Sequence, residues 1–119
     1  ANALPALTRA QTYQNRVVRV GFDWPDISGV MDKICEEIEE IRTAPDDAAR
    51  ASEVGDLLFA IVNLARWLKI DAESALRETN QRFRTRFAFI EQSAREQGRE
   101  LGEMPLEEME ELWQEAKQK

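Results

Sequence analysis

Histidine is absent from the 119-residue chain, and cysteine occurs once, at Cys35. The first absence removes the commonest general base near neutral pH and the usual zinc ligand. The second removes any internal disulfide. Glycine (5) and proline (4) are scarce and tyrosine occurs once, which leaves little turn chemistry and little for strands to use. No apolar run approaches the length of a bilayer span, and no signal-peptide core stands near the N-terminus. The expectation is a soluble, cytoplasmic protein with no membrane partner. Basic residues are also short: 16 Lys and Arg stand against 23 Asp and Glu, a net charge of −7. A long phosphate backbone needs a basic surface to release counterions, so no nucleic-acid polymer is expected as partner. A small phosphorylated ligand stays open, because a bound metal inverts the local field.

What is present is helix-former composition: Ala, Leu, Glu, Gln and Arg dominate. The length suits one domain, taken as residues 1–119. The periodicity predicts an all-α fold, an antiparallel helix bundle of four to five helices. A first helix over about Pro5–Val20 ends at Gly21, and Ala1 to Ala3 read as a frayed end. A second, about Asp26–Ala44, carries the cleanest stripe: Ile27, Val30, Met31, Ile34, Cys35, Ile38 and Ile41. On that stripe Cys35 reads as core filler. A third, about Ala48–Lys69, has a main stripe of Val54, Leu57, Leu58, Ile61, Ala65 and Leu68, with Phe59, Leu64 and Trp67 on other sides. A helix apolar nearly all round is packed on several faces. In so short a chain this predicts a partner subunit, hence a homodimer, with pairing into tetramers left open. A fourth helix, about Asp71–Gln97, has Asp71 as N-cap and Gly98 as C′ residue, and a last one starts near Pro105.

The chemistry sits on the other side of the second helix. Glu36, Glu37 and Glu40 fan across one side, with Lys33 a turn earlier, and Glu53 with Asp56 repeats the i,i+3 carboxylate spacing at the start of the third. Acidic residues on a polar helix face usually meet only water. Asp56, however, runs directly into Leu57-Leu58-Phe59-Ala60-Ile61-Val62, which predicts a partly desolvated carboxylate. The short connector makes the two helices an antiparallel hairpin, bringing Glu37 and Glu40 beside Glu53 and Asp56. Asn63 projects from nearly the same face as Asp56. Oxygen-only ligands with no histidine select a hard ion, Mg²⁺ with Mn²⁺ as substitute. Such an ion suits hydrolysis of a phosphoanhydride. Trp24, in the Gly21–Asp26 turn, is either a hydrophobic plug or a stacking surface.

The pattern Glu36-Glu37-x-x-Glu40 followed by Glu53-x-x-Asp56 resembles the signature of the all-α nucleoside triphosphate pyrophosphohydrolases. Further stretches resemble the MazG family, in particular the catalytic C-terminal half of its two-domain members. These are Leu4-Pro-Ala-Leu, Gln14-x-Arg16 with Gly21-Phe22-Asp23-Trp24, Gly55-Asp56-Leu57-Leu58-Phe59-Ala60 into Val62-Asn63-Leu64-Ala65-Arg66, Asn80-x-Arg82-Phe83-x-x-Arg86-Phe87, and Glu111-Leu112-Trp113 to Lys117. The resemblance implies conversion of an NTP or dNTP to the monophosphate and pyrophosphate, in nucleotide-pool house-cleaning. It implies Mg²⁺ on Glu37, Glu40, Glu53 and Asp56, with Glu36 assisting catalysis. It also implies Lys33, Arg82, Arg86 and Lys117 near the phosphates, Asn80 as a polar contact, and Trp113, with Trp24, at the base. Each of these has a plainer alternative: Arg82 and Arg86 as solvated charges, Asn80 on a polar face, Trp113 as core. Glu78, Thr12 and Ala49 stand where relatives carry basic residues, which bears on affinity and base preference. A narrow dUTPase- or dCTPase-like enzyme and a non-catalytic helical dimerisation module are the alternative readings.

Overall fold

A computed structural model describes residues 4–119, so the expectation for Ala1 to Ala3 lies outside the described residues. Every regular element among the described residues is helical: α1 (Ala6–Val18), α2 (Ile27–Arg42), α3 (Asp47–Trp67), α4 (Ala72–Glu96), a single 3₁₀ turn (Leu101–Glu103) and α5 (Leu106–Lys117). The expected all-α class is the one found. None of these helices is long and apolar enough to cross a membrane.

Aspartates start three of the helices. Asp26 accepts from the Ser28 amide at 2.9 Å, Asp46 from Ala49 at 2.8 Å and Asp71 from Ser74 at 3.0 Å. Each satisfies an amide that the first helical turn leaves without a carbonyl. Left-handed glycines follow two helices: Gly21 has φ +90° in the turn after α1, and Gly98 has φ +64° after α4, conformations that glycine adopts without a Cβ clash. The first helix therefore stops at Val18, short of the expected Val20, because Val20 and Gly21 already turn back onto the Val17 and Val18 carbonyls.

The chain falls into two compact units, Ala1–Ala75 and Leu76–Lys119. In the first, α3 is the shared wall: α2 packs along it on one side and α1 on another. Gln14 on α1 is 5% exposed and donates to the Phe59 carbonyl of α3 at 2.9 Å, and Gln11 bridges the Ile70 carbonyl and the Ala72 amide. In the second unit, Ile90, Ala94 and Met104 form a buried core on which Phe87, Leu101, Met109, Leu112 and Trp113 pack. A bidentate Arg99–Glu108 pair, at 2.6 and 3.0 Å, ties the end of α4 to α5 within this unit.

The packing corrects the expected core of α2. Val30 and Glu37 are buried, whereas Ile27, Met31, Cys35 and Ile38 are exposed. Val30 and Glu37 are seven residues apart and nearly eclipsed, about a quarter turn from the centre of the apolar stripe. The side of α2 that meets α3 is thus the edge of the stripe, and its centre faces outward. Cys35 is accordingly not core filler. On α3 likewise, Ala60 and Val62 are buried while Val54, Leu58, Ile61 and Leu68 stay exposed. Val30, only 1% exposed, anchors the α2–α3 contact. Val30→Ala is expected to lower stability by about 2 kcal/mol, measurable as a lower denaturant midpoint with the helical signal intact.

Candidate functional site

The capped starts of α2 and α3 and the four residues between them fold the two helices into a hairpin, so the last turns of α2 lie beside the first turns of α3. Five carboxylates meet there in two overlapping groups. Glu36, Glu37 and Glu40 each offer an oxygen within 4.8 Å of the others, and so do Glu37, Glu53 and Asp56. Glu37 belongs to both. It is 2% exposed, although it lies on a helix whose other glutamates are open to solvent or nearly so.

A buried carboxylate is costly unless its charge is matched. Lys33, one turn back, supplies part of the match at 2.9 Å from a Glu37 oxygen and 3.4 Å from a Glu36 oxygen. That hydrogen bond is the main reason the Glu37 carboxyl is held below its ordinary value, and the same bond raises the Lys33 ammonium. Glu53 has no such cation. Hydrogen bonding to Glu40 and then to Glu37, together with burial and repulsion from both, pushes its carboxyl up to about 7. Near neutrality the cluster therefore shares a proton among its carboxylates. Counted without that proton, the Oε2 atoms of Glu37 and Glu53 are both buried with no hydrogen-bond partner. An all-oxygen donor set of this kind fits a hard cation.

Beside the carboxylates opens a cavity of about 680 Å³ between α1, the Gly21–Asp26 turn, α2 and α3. Lys33, Glu37 and Asp56 form one end of it, and its walls are largely aromatic and aliphatic: Tyr13, Val17, Phe22, Trp24 and Phe59. Trp24 packs on Gly29, where even an added Cβ would lie 2.8 Å from the ring. The tryptophan is thus a wall of the cavity, neither fully buried as a plug nor free in solvent. Asn63 and Arg66 close the far side. Arg66 spans two elements, donating to Asn63 Oδ1 at 2.9 Å and to Asp23 Oδ1 at 2.7 Å. Asp23 Oδ1 also accepts the Trp24 amide at 2.8 Å, so the guanidinium fixes the aromatic turn to α3.

Over 114 residues the chain is 45% identical to the nucleoside triphosphate pyrophosphohydrolase/pyrophosphatase MazG of Thermotoga maritima, covering 96% of this chain and 45% of that protein. Over 120 aligned positions it is 46% identical to the nucleoside triphosphate pyrophosphohydrolase of Escherichia coli, covering 97% of this chain and 46% of that protein. The chain belongs to the MazG family. It also matches a Bacillus subtilis protein named only as uncharacterized, YabN, at 52% identity over 75 residues, 63% of this chain and 15% of that protein. The chain spans about half the length of the first two relatives. No family model matches it.

In this MazG-family chain, six of the expected site residues share the α2–α3 neighbourhood: Lys33, Glu36, Glu37, Glu40, Glu53 and Asp56. Asp56 is exposed, which corrects the expected desolvation: the apolar run that follows it winds onto other faces of α3. Asn80, Arg82, Arg86, Trp113 and Lys117 belong to the second unit. There Arg82 donates to Thr79 at 3.2 Å, while Asn80 and Lys117 are exposed. Trp113 packs on Phe83 with centroids 5.5 Å apart and lies under the Arg86 guanidinium at 5.9 Å, so packing accounts for its partly buried ring.

Sequence reasoning missed Tyr13, Phe59 and Arg66 as parts of a cavity. Phe59 reads as an extra apolar face for a partner subunit, but it lines the chain's own cavity. The available signal was its place four residues before Asn63 and three after Asp56, on the side of the helix that carries the polar groups.

The raised Glu53 carboxyl predicts a sign for pH dependence. Between the ordinary 4.5 and about 7 the folded chain binds a proton that the unfolded chain has released, so stability falls as pH rises through that window. The lowered Glu37 acts below 4.5, outside it. In chelator, the melting temperature is expected to decline across the window, and Glu53→Gln is expected to abolish the decline and exceed wild type above neutrality. A wild-type profile without that decline contradicts the assignment.

Proposed function

We propose that this chain hydrolyses nucleoside triphosphates, ribo- or deoxyribo-, to the monophosphate and pyrophosphate; two relatives matched over nearly all of this chain are named nucleoside triphosphate pyrophosphohydrolases. The carrying observation is a five-carboxylate cluster with two buried, partnerless oxygens at the mouth of a cavity of about 680 Å³. Residues 1–119 act together as one catalytic domain in this reading, with a role in clearing the nucleotide pool.

Glu37, Glu40, Glu53 and Asp56 are the ligands assigned to Mg²⁺, with Mn²⁺ as a substitute. When bound, such an ion neutralises phosphate charge and acidifies water. The chain's own groups do the rest. Lys33 holds Glu37 ionised and keeps an ammonium within reach of the phosphates. Glu53 must give up its proton for the site to load, so divalent-ion affinity rises with pH around neutrality. Glu36, at the exposed rim, orients the attacking water, and the anhydride between the first and second phosphates is the bond that breaks. Arg82, Arg86, Asn80, Lys117 and Trp113 are retained as nucleotide contacts on the family resemblance.

The exposed apolar stripes supply the reading of assembly. Ile27, Met31 and Ile38 on α2, and Val54, Leu58 and Ile61 on α3, lie outside the helices' mutual contact. Several large aliphatic side chains left open on adjoining helices mark an association surface, and a second copy of the chain is the occupant assigned to it.

Asp56→Asn is expected to reduce pyrophosphate release by more than the roughly 10–100-fold that losing an outer-shell metal partner costs, with the far-UV helical signal unchanged. Near-wild-type turnover overturns the site. Independently, the Met31→Glu, Ile38→Glu double variant is expected to sediment at half the wild-type mass; a wild type that sediments as a monomer removes the dimer.

A further inference from the structure

A second cavity, of about 400 Å³, opens between α1, the end of α3 and the start of α4. It has neither the carboxylate cluster nor the aromatic walls of the first. Two cations line it, Arg66 and Lys69, in a chain whose net charge is −7. The Lys69 ammonium has no ion-pair partner among the described residues. Arg66 uses Nε for Asn63 and Nη2 for Asp23, which leaves Nη1 without a hydrogen-bond partner although the side chain is only 13% exposed. The guanidinium can only donate, so this nitrogen calls for an acceptor. The one carboxylate of the cavity, Asp71, is already engaged: it accepts the Ser74 amide at 3.0 Å, where the dipole of α4 also meets its charge. Gln11 is held between the Ile70 carbonyl and the Ala72 amide, and Thr12 donates to the Thr8 carbonyl. What stays open is mostly donors: Arg66 Nη1, the Lys69 ammonium and the Asn15 amide. Lys69 also stands there at a cost to the backbone, since its φ of +61° is left-handed and only glycine adopts that freely.

We propose that this second cavity binds a small multivalent oxyanion, inorganic phosphate or pyrophosphate, between the Lys69 ammonium and the Arg66 guanidinium. The proposal does not rest on the pyrophosphohydrolase reading. Phosphoryl oxygens accept from several donors at once, and guanidinium and ammonium groups are the side chains that match them best. The five carboxylates of the first site repel such an anion when no divalent ion is bound, so in chelator the two sites are separable. Arg66 links the second cavity to the aromatic turn. Asp23 and the oxyanion draw on one guanidinium charge, so each weakens the hold of the other. An occupied second cavity thereby loosens the fastening of the turn that carries Phe22 and Trp24.

The test is an amide chemical-shift titration of the full 119-residue chain in chelator, with phosphate and with pyrophosphate at constant ionic strength. Shifts are expected to saturate and to cluster at residues 8–15 and 66–71, with smaller ones at Asp23 and Trp24. The anion that binds more tightly there is the occupant. Lys69→Gly is expected to lose affinity about tenfold or more, the effect of one charge-assisted hydrogen bond. The same variant is expected to melt at a higher temperature than wild type without ligand, because glycine relieves the left-handed backbone. A chain that folds more stably yet binds less tightly separates binding from folding. Asp23→Asn, which frees the guanidinium, is expected to bind about threefold more tightly. Absence of saturable shifts with both anions, shifts centred on Lys33 or on Arg82, Arg84 and Arg86, or unchanged affinity in Lys69→Gly overturns the site. Unchanged or weaker binding by Asp23→Asn overturns the shared guanidinium and with it the link to the turn.

Discussion

Mutual repulsion among carboxylates that the helix hairpin forces together is the constraint around which the rest of the first unit is arranged. The capped ends of α2 and α3 bring Glu37 and Glu40 against Glu53 and Asp56. Burial of Glu37 removes the water that would screen them. Without an ion the chain offsets this in two ways: Lys33 matches Glu37, and Glu53 keeps a proton. Both devices are local and reversible. With Glu53 ionised, two oxygens stay buried without a hydrogen-bond partner, a cost that a cation would offset.

The same hairpin explains why α3 is so apolar. One side of it meets α2, another meets α1, a third lines the cavity with Phe59 and Ala60, and a fourth is left open with Leu58 and Ile61. A helix used on so many sides cannot show a clean amphipathic stripe. Some of its polar residues have specific partners. Asn63 and Arg66 are the clearest instance, bonded to each other and, through Asp23, to the turn that carries Trp24.

Much of the fold was legible from local chemistry. Asp71 and Gly98 bound α4 as their side chain and backbone predicted, and Asp26 and Asp46 start their helices for the same reason: a short carboxylate can satisfy an amide that the helix leaves open. The convergence of Glu37, Glu40, Glu53 and Asp56 was legible too, because i,i+3 spacing and a short connector leave a hairpin little choice. Buried surface was harder to read. Periodicity gives the direction of a stripe but not what lies opposite it, so Met31, Cys35 and Ile38 look like core and are open in the single chain. Asp56 failed in the reverse sense, since adjacency along a helix does not mean adjacency on a face.

What the sequence determined by itself was the helical class, the caps of α4 and the carboxylate pairing, all of which depend on neighbours within a few residues or across one short turn. Tertiary structure alone decided that Glu37 is the buried member of the cluster and that Glu53 has a raised carboxyl. It alone decided that Tyr13, Trp24 and Phe59 enclose one cavity. These depend on which side of α2 and of α1 is turned toward α3, and that rotation is set by the packing of side chains distant in sequence, which no local spacing encodes.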